Sequence, residues 1–450
     1  MKKLLATILA LVMALGLCSV SWAVDAGKVV VHGIKYNDKD DNEFATFEAA
    51  YAALKPVIES VCDTDVLGQG TAKSVEAFKA VFTDVDSDGN ATITYKISGN
   101  VTYDETSCPN LLTMGRKASH YGNDLHFINF KFAGADENRG ATLTVNSDIT
   151  LPYEWWGENT TTAISFENLT ITGSAPNGLY PYQKFFEGIS FSVNNCTLKG
   201  IKIYNCSNVG GSYSITNSTL DGTGAPGNAY AIHLQGNETA PLTITISGNE
   251  ISGYDRGVNI DQNTAQATVS NNTISVAPGY SCVQISRVGK IEIKNNDLTL
   301  NGSNAFTIHE VALKTGGTPD ISISNNTITG TGYLLYDDVK ANGGSLDSET
   351  DTPKIVIKME NNTIPSTVDT TKGVKAGNVV ANDSQVVSNA VREGITVLQT
   401  PPHYYYHPTT DTKADETKGS PKTFDAGVGI YAVTAVLSVT GMAWTAKKRH

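Results

Sequence analysis

The side chains best suited to chemistry lie between residues 255 and 338. Asp255 and Arg256 are adjacent, and Asp261 follows Arg256 five positions later. A carboxylate beside a guanidinium brings an acid and a base together, as general acid–base cleavage of a bond requires. Cleavage of a glycosidic bond by two carboxylates needs them about 5–9 Å apart, and the other candidate, Asp337, lies beyond two intervening repeats. The sequence shows no tight carboxylate cluster and favours binding over catalysis.

These side chains belong to two polar columns on a set of recurring strands. The strands are Ile232–Gln235, Val258–Asp261, Val283–Ser286, Phe306–His309 and Leu334–Asp337. Because successive residues of a strand point to opposite faces, turning the apolar residues inward leaves two columns outward. The first column is His233, Asn259, Gln284, Thr307 and Leu335, and the second is Gln235, Asp261, Ser286, His309 and Asp337.

Five members of these columns are our predicted ligand contacts, namely His233, Gln235, Asn259, Asp261 and His309. The same pattern is typical of any solvent-facing sheet, so both interpretations stay open. A second candidate surface is the aromatic stretch with Tyr153, Trp155 and Trp156. Aromatic faces stack on sugar rings, and carboxylates beside them can bind sugar hydroxyls. The alternative is that these aromatic residues pack against other parts of the protein.

An asparagine-rich pentapeptide recurs along the chain and must position these strands. Four copies are Ser270–Ile274, Lys294–Leu298, Ser324–Ile328 and Glu360–Ile364, and looser copies precede them. The second residues of all eight copies are 22 to 36 positions apart and are Asn168, Asn195, Asn217, Gly248, Asn271, Asn295, Asn325 and Asn361. A period in the twenties with variable insertions is typical of a solenoid. Asparagine tolerates the left-handed backbone of a tight bend, and stacked amides can form hydrogen-bonded ladders.

The repeat therefore predicts an all-β fold, a right-handed single-stranded parallel β-helix over residues 125–398. The alternative is a β-sandwich or propeller with Asn-Gly-type turns. The repeat resembles the parallel β-helix of pectate lyases and many surface proteins, over about half of the chain. The resemblance implies a polar face that holds an extended polysaccharide. It also implies that an enzyme of this fold would use clustered carboxylates, with calcium and an Arg or Lys base in lyases.

Residues 24–124 do not repeat, and we predict an α/β cap that covers the first turn of the β-helix. Helical spacing of apolar residues extends from Asn42 to Ser60. Asp84, Asp86 and Asp88 match the first half of a calcium-binding loop, but the twelfth position is Tyr95 instead of glutamate. The Asp-Gly-Asn that follows makes a hairpin turn equally well. Calcium is the only cofactor that the sequence suggests.

Both ends of the chain indicate export. Residues 1–23 combine Lys2 and Lys3, an apolar core and a Ser-Trp-Ala cleavage site, which is typical of a signal peptide. Residues 399–419 are polar and predict an extended spacer. In residues 420–450, an apolar stretch of about twenty residues, long enough to span a bilayer as a helix, precedes a basic tail.

The segment Ser420–Asp425 stands just before that apolar stretch. Together they resemble the sorting signal of Gram-positive surface proteins. The resemblance implies that a sortase cuts between Thr423 and Phe424 and joins the chain to peptidoglycan. A plain C-terminal membrane anchor is the alternative, and both place the body outside the cell.

The composition of the chain excludes some classes of binding partner. The net charge is −12, with 45 acidic residues against 33 Lys and Arg. Such a chain is a poor ligand for nucleic acids, whose phosphates need clustered cations. Cys196 and Cys282 lie inside or beside strand runs, where we expect small buried hydrophobes. The sequence thus predicts a cell-wall-displayed β-helix for adhesion or glycan binding to a host or bacterial surface, or alternatively a polysaccharide lyase or glycoside hydrolase on the same fold.

Overall fold

The computed structural model of the protein describes part of the chain, and all that follows concerns that part. The described residues are 27–61, 79–104, 120–121, 124–125, 128–147, 162–175, 178–179, 189–206, 210–236, 241–310, 320–337, 356–369, 375–379 and 395–396. They contain the asparagine-rich repeats and most of the two polar columns. No helix among them is long and apolar enough to cross a membrane. The predicted signal peptide, spacer and sorting signal lie outside them.

The repeats form three parallel ladders that run along the molecule, and the predicted parallel β-helical architecture is confirmed. Before each asparagine bend lies the first sheet, with strands β3 (Ala91–Ser98), β7 (Ile128–Gly134), β9 (Thr162–Glu167), β11 (Ile189–Asn194), β14 (Gly211–Thr216), β17 (Leu242–Ser247), β23 (Asp320–Ser324) and β25 (Val356–Glu360). After the bend lies the second sheet, with β4 (Asn100–Tyr103), β8 (Ala141–Val145), β10 (Leu169–Gly173), β12 (Thr197–Lys199), β15 (Thr219–Asp221), β18 (Glu250–Ser252) and β20 (Thr273–Ser275).

The third sheet carries the predicted polar columns. Its strands are β13 (Ile203–Cys206), β16 (Tyr230–Gln235), the first part of β19 (Arg256–Ser270), the first part of β21 (Ser281–Lys294), the second part of β22 (Asp297–Glu310), the second part of β24 (Thr327–Asp337) and β26 (Val368–Asp369). Strands β19 and β21 continue into the first sheet of the next coil, where a coil is one turn of the β-helix. All three sheets pair in parallel between successive coils.

The N-terminal residues add antiparallel elements. Strand β1 (Lys28–His32) pairs with β2 (Asn42–Phe44) and with β3. The helix predicted from Asn42 begins later, as α1 (Phe47–Val61), because residues 42–44 form β2. The Thr46 hydroxyl accepts a hydrogen bond from the backbone N–H of Ala49 at 3.1 Å, which caps the new N-terminus. Parallel pairing begins at β3 and β4, earlier in the chain than the boundary placed near residue 125.

The interior is filled by side chains of matching type on neighbouring coils. At the N-terminal end Phe47 of α1 contacts Tyr95 and Phe132, and Phe132 stacks on Phe166 with ring centroids 5.1 Å apart. In later coils the same interior rows hold aliphatic residues such as Ile291 and Ile321, both fully buried. Rows of like residues let each coil pack closely on the next, which is the usual energetic basis of a solenoid.

All eight predicted bends have the left-handed backbone that the sequence predicted. The seven asparagines have φ between 51° and 58°, and Gly248 replaces asparagine in one coil with φ 70°. Seven of the eight backbone N–H groups donate to the coil that follows, as Asn295 does to the Ser324 carbonyl at 3.1 Å. The bend residue is therefore chosen for its backbone conformation.

The amide ladder is built by the next residue in each copy. Asn249, Asn272, Asn296, Asn326 and Asn362 are buried, and each amide oxygen accepts from the residue one coil earlier. For example, Asn296 Nδ2 donates to Asn326 Oδ1 at 2.9 Å and to the Val269 carbonyl at 3.0 Å. The predicted ladder exists, but at the third position of the repeat. We call this row the asparagine corner.

Shorter elements complete the described chain. Strands β5 (His120–Tyr121) and β6 (Asp124–Leu125) pair antiparallel, and so do β27 (Lys375–Val379) and β28 (Ile395–Thr396).

Cys196 and Cys282 are free thiols and fully buried, which confirms their predicted role as core residues. Burial raises the pKa of Cys196 to about 11 and that of Cys282 to about 12, so both thiols stay protonated and unreactive near neutral pH.

Candidate functional site

The registers of the third sheet confirm most of the first polar column. His233 pairs with Asn259, Asn259 with Gln284, and Gln284 with Thr307. The prediction is wrong for the last member, Leu335. Thr307 pairs with Tyr336, whereas Leu335 pairs with Phe306 and is buried. The column prediction failed there by one residue.

The second column follows the prediction through three coils and then shifts. Gln235 pairs with Asp261, and Asp261 with Ser286. Ser286 then pairs with Glu310 instead of His309, and Asp337 pairs with Ile308. Asp261 and Asp337 are therefore not in one column.

A β-bulge causes the shift at Ser286, whereas β22 and β24 pair without a break from Ser303 to Ile308, so the predicted position of Asp337 was one residue out of register. The register between β21 and β22 slips after Ile285, and Arg287 adopts φ 49°. A non-glycine residue in that region is strained and needs support from its surroundings. Beside the bulge, the buried Arg287 side chain contacts Asp261 of the preceding coil.

The pair of Arg287 and Asp261 is the strongest electrostatic contact of the third sheet among the described residues. Arg287 Nη2 lies 2.9 Å from Asp261 Oδ1 and 3.1 Å from Oδ2, and Nε lies 3.3 Å from Oδ1. The side chains are 4% and 16% exposed, respectively. Because little water reaches the pair, the bidentate contact holds the guanidinium and the carboxylate in one geometry.

The polar columns are covered instead of facing water. Asn259, Ser286 and Thr307 are 4%, 1% and 2% exposed. His233 and Gln235 are half-buried. The expectation of a solvated, outward-facing row is therefore wrong for half of its described members. Buried polar atoms need hydrogen-bond partners, from protein, water or ligand.

Three of these side chains have a polar atom without a hydrogen-bond partner among the described residues. The atoms are His233 Nε2, Asn259 Oδ1 and Ser286 Oγ, and all three are shielded from solvent. His233 and Asn259 are register partners on adjacent strands, and Ser286 is the partner of Asp261, two residues beyond Asn259. The atoms thus belong to neighbouring positions of one face. We call His233, Asn259 and Ser286 the polar triad.

Aromatic rings enclose the His233 imidazole. Its centroid lies 5.0 Å from the Tyr204 ring and 5.0 Å from the Tyr230 ring. Burial, with smaller contributions from Lys202 and Arg256, lowers the pKa of His233 to about 4, against an opposing effect of Asp261. The imidazole is therefore neutral at physiological pH, with one ring nitrogen able to accept and the other to donate.

Cationic side chains lie over the tyrosine rings near His233. Lys202 Nζ lies 5.6 Å from the Tyr204 ring centroid, and the Arg256 guanidinium lies 4.8 Å from Tyr230 and 5.0 Å from Tyr280. Arg256 also donates to the Tyr230 hydroxyl at 2.7 Å. Alternating rings and cations stabilise one another through the ring quadrupoles.

The catalytic candidates are only partly brought together. Asp261 meets Arg287, whereas Asp255 accepts a hydrogen bond from the backbone N–H of Asn228 in the turn before β16. Arg256 is committed to the tyrosine rings. Of Asp337 and His309 the structure describes only the backbone. Among the described side chains no two carboxylates face each other across the third sheet.

The other predicted site residues give a mixed result. Tyr153, Trp155, Trp156, Thr423 and Phe424 lie outside the described residues. Asp86 accepts hydrogen bonds from the backbone N–H groups of Asp88 and Asn90 at 2.9 and 2.8 Å, which is the turn geometry offered as the alternative to calcium. Asp84 and Asp88 do not join it in a metal cluster, since no group of three metal-binding side chains occurs in the described ranges.

Sequence reasoning missed the tyrosines and the importance of Arg287. Tyr204, Tyr230 and Tyr280 have no common spacing, because the insertions between coils vary in length. Tyr204 had a usable signal, since it is the register partner of His233 one coil earlier. The contact of Arg287 with Asp261 lies beside a bulge, which no periodic pattern predicts.

These features define a parallel β-helix whose third sheet carries a covered polar site. Residues 167–342 are similar to a family described as "Periplasmic copper-binding protein (NosD)". That segment is less than half of the 450-residue chain. Comparisons with curated proteins and with solved structures found no match.

The described residues do not fit a copper site. Copper prefers imidazole and sulfur ligands. His233 is the histidine of the polar site whose side chain is described, and no group of three His, Cys, Asp or Glu side chains within the described ranges could hold a metal ion. Cys196 and Cys282 are protonated core thiols, whereas the thiolate is the form that binds metals.

Proposed function

We propose that this chain is an exported β-helix protein that binds a glycan at the covered polar face of its third sheet. The observation that supports this most directly is the polar triad, whose three shielded atoms lack partners among the described residues. Sugar hydroxyls both donate and accept, so they can satisfy an imidazole nitrogen, an amide oxygen and a serine hydroxyl at once.

The rim of the face suits the same class of ligand. Tyr204, Tyr230, Gln235 and Gln284 are half-buried and surround the triad. Tyrosine edges and amides are the side chains that sugars meet in binding sites. Because the triad atoms are shielded, a ligand must displace the side chains that cover them. A site that opens only for a fitting ligand discriminates well, because a ligand without the right hydroxyls leaves buried groups unpaired.

Binding is favoured over cleavage by the state of the carboxylates. Asp261 is held in place by three hydrogen bonds from the Arg287 guanidinium. A general acid needs a raised pKa, and a hydrolytic pair needs a second carboxylate across the sugar. Asp255 is engaged by the Asn228 backbone. We therefore keep the lyase or hydrolase as the alternative that the experiment must exclude.

The location completes the proposal. Residues 1–23 direct export, and the segment around Thr423 and Phe424 attaches the chain to the envelope, by a sortase to peptidoglycan or by the apolar helix to the membrane. The similarity of residues 167–342 to a family named as periplasmic agrees with a site outside the cytoplasm. Displayed on a surface, a glycan-binding rod would act in adhesion to other cells or host material.

A glycan array tests the function with the purified full-length chain in detergent. We expect retention of a restricted set of glycans, released unchanged as judged by mass spectrometry. Asn259→Ala and Ser286→Ala should each weaken binding about tenfold, because hydrogen bonds in such sites contribute about 1–1.5 kcal/mol. Ser322→Ala is the matched control, a half-buried serine on the first sheet, and should bind normally.

Two outcomes would overturn the proposal. Shortened sugar products would show a glycan-cleaving enzyme instead of a binding protein. Retention of glycans that is unaffected by Asn259→Ala and Ser286→Ala would place binding elsewhere on the chain. The location is tested independently with Thr423→Ala. Fractionation of cells should show that this variant is no longer attached by a sortase.

A further inference from the structure

One arginine lies across the outside of the N-terminal coils and shows what the surface beside the bends can bind. Arg139 Nε donates to Asn195 Oδ1 at 2.9 Å, and Nη1 donates to Thr197 and Thr219 Oγ1 at 3.3 and 3.2 Å. Its Nη2 donates to the Asn217 carbonyl at 2.7 Å. The guanidinium thus binds a bend amide, two stacked threonines and a bend carbonyl from two adjacent coils.

The groups that hold Arg139 recur along the whole β-helix. The outward residue two positions after each bend is in register from coil to coil and forms one column, Thr142, Thr170, Thr197, Thr219, Glu250, Thr273, Asp297, Thr327 and Thr363. We call it the threonine column. Seven of its nine members are threonine, and the other two are acidic. Every member therefore offers an oxygen acceptor.

The C-terminal half of the column differs in exposure and charge. Thr197 and Thr219 are half-buried beneath Arg139, whereas Thr273, Asp297 and Thr327 are exposed. Neither Glu250 nor Asp297 has an ion-pair partner among the described residues, although other exposed carboxylates do, such as Asp320 with Lys358 at 2.8 Å. The acceptor set of Arg139 is thus repeated here with carboxylates added and no described cation on it.

We propose that the C-terminal half of the threonine column docks an extended peptide that carries two arginines three residues apart. The first guanidinium binds Asn271 Oδ1, Thr273, Asp297 and the Asn295 carbonyl, which correspond one by one to the four partners of Arg139. The second binds the matching set two coils further on, at Asn325, Thr327, Thr363 and the Asn361 carbonyl. Each guanidinium spans two coils, as Arg139 does.

The spacing of the two arginines follows from the geometry of the coils. Neighbouring strands are about 4.8 Å apart, so two coils measure about 9.6 Å. Three residues of a polyproline II segment span about 9.3 Å. Arginines at positions i and i+3 therefore match both sets from the same side of the segment, whereas adjacent arginines project from different sides.

Charge selects a cationic peptide over other partners. The chain carries a net charge of −12, which attracts cations and repels nucleic acid or an acidic protein. Arginine fits better than lysine because its planar fork serves four acceptors at once, whereas an ammonium group offers three donors from a single nitrogen. This docking surface lies on the second sheet, away from the polar triad, and does not depend on glycan binding.

Fluorescence anisotropy with labelled peptides tests the proposal on the full-length chain. The probe is Gly-Arg-Gly-Pro-Arg-Gly, and the control peptide has the same composition with adjacent arginines. We expect the probe to bind at least about fivefold more tightly than the control, with affinity falling as salt is added. Asp297→Asn should raise the Kd of the probe about three- to fivefold, the range of an exposed ion pair.

Matched variants separate a specific site from general attraction. Asp38→Asn makes the same change of charge on an exposed N-terminal residue and should leave the Kd unchanged. Thr327→Val removes one hydroxyl acceptor without a change of charge and should weaken the probe alone.

Equal binding of the two peptides, or equal effects of Asp297→Asn and Asp38→Asn, would overturn the proposal in favour of nonspecific attraction. No binding of the probe would overturn it as well. Self-association that Asp297→Asn abolishes, measured by sedimentation without peptide, would make a second copy of the chain the occupant and also overturn it.

Discussion

The asparagine corner and the polar triad both bury polar side chains on the same coils, but only the corner satisfies them. Asn296 is fully buried, and both of its amide atoms have partners. Asn259 is 4% exposed, and its Oδ1 has none among the described residues. The cost of burying an amide is similar in both places. What differs is the neighbour on the next coil.

In the corner each amide meets a copy of itself, so a single solution repeats along the rod. In the third sheet the stacked residues are His233, Asn259, Gln284 and Thr307, which differ in length and in donors. Periodicity satisfies polar groups, and its interruption leaves them available to a ligand. Function in a β-helix is therefore expected where the repeat breaks, as at the bulge of Arg287.

The largest effect is expected in the corner. Asn296→Ala removes an amide that serves Asn272, Asn326 and the Val269 carbonyl. Losing several buried hydrogen bonds should lower the free energy of unfolding by about 4 kcal/mol. Urea denaturation followed by circular dichroism measures it. Asn295→Gly is the control, because glycine keeps the left-handed bend, and a loss as large as that of Asn296→Ala would contradict the division of roles.

The next effect tests the charged pair of the third sheet. Asp261→Asn takes the carboxylate away from a buried guanidinium and should cost about 3 kcal/mol. Asp320→Asn breaks an exposed pair with Lys358 and should cost less than about 0.5 kcal/mol. Equal losses in these two variants would show that Arg287 gains water when Asp261 is changed, and that the face is more open than its burial indicates.

A pH effect follows from His233. Its pKa is lowered to about 4 in the folded chain, against about 6.5 when unfolded. Between these values the unfolded chain takes up a proton that the folded chain does not. The stabilisation that comes from a neutral His233 is fully present above pH 6.5 and is lost as pH falls toward 4. The free energy of unfolding should fall by about 2–3 kcal/mol over this range, since the residue is shielded but not fully buried.

The variant His233→Gln isolates this effect, since it should flatten the pH dependence between pH 6.5 and 4 relative to the unmodified chain. His32→Gln changes an exposed histidine on β1 and serves as the control. If unfolding of the His233 variant keeps the full slope, the imidazole is hydrated in the folded protein.

The sequence predicts the corner far better than the site, for a physical reason. Seven of the eight bends have asparagine at one position of the repeat and the eighth has glycine, so all could be identified without coordinates, and their φ values agree. The polar columns were correct as far as strand alternation holds, through Thr307 and Ser286. The bulge then moved His309 out of the column, and Leu335 was assigned one residue out of register, since it pairs with Phe306. Burial of Asn259 and Ser286 was not predictable, because it depends on what lies over the sheet.

The smallest effect is expected when one buried serine in each region is replaced by alanine. Ser218 occupies the corner position one coil before Asn249 and donates its backbone N–H to Asn249 Oδ1 at 3.0 Å. Ser218→Ala removes a hydroxyl that accepts from the Cys196 N–H at 3.0 Å and donates to the Thr216 carbonyl at 2.8 Å. It should lower the free energy of unfolding by about 1–1.5 kcal/mol, since the buried N–H loses its partner. Ser286→Ala removes a hydroxyl that has no partner among the described residues. That change should be neutral within about 0.5 kcal/mol, because it abolishes the cost of a buried unbonded group. Both serines are at most 2% exposed, so burial alone predicts equal losses, and equal urea midpoints for the two variants would show that Ser286 is bonded in the free protein.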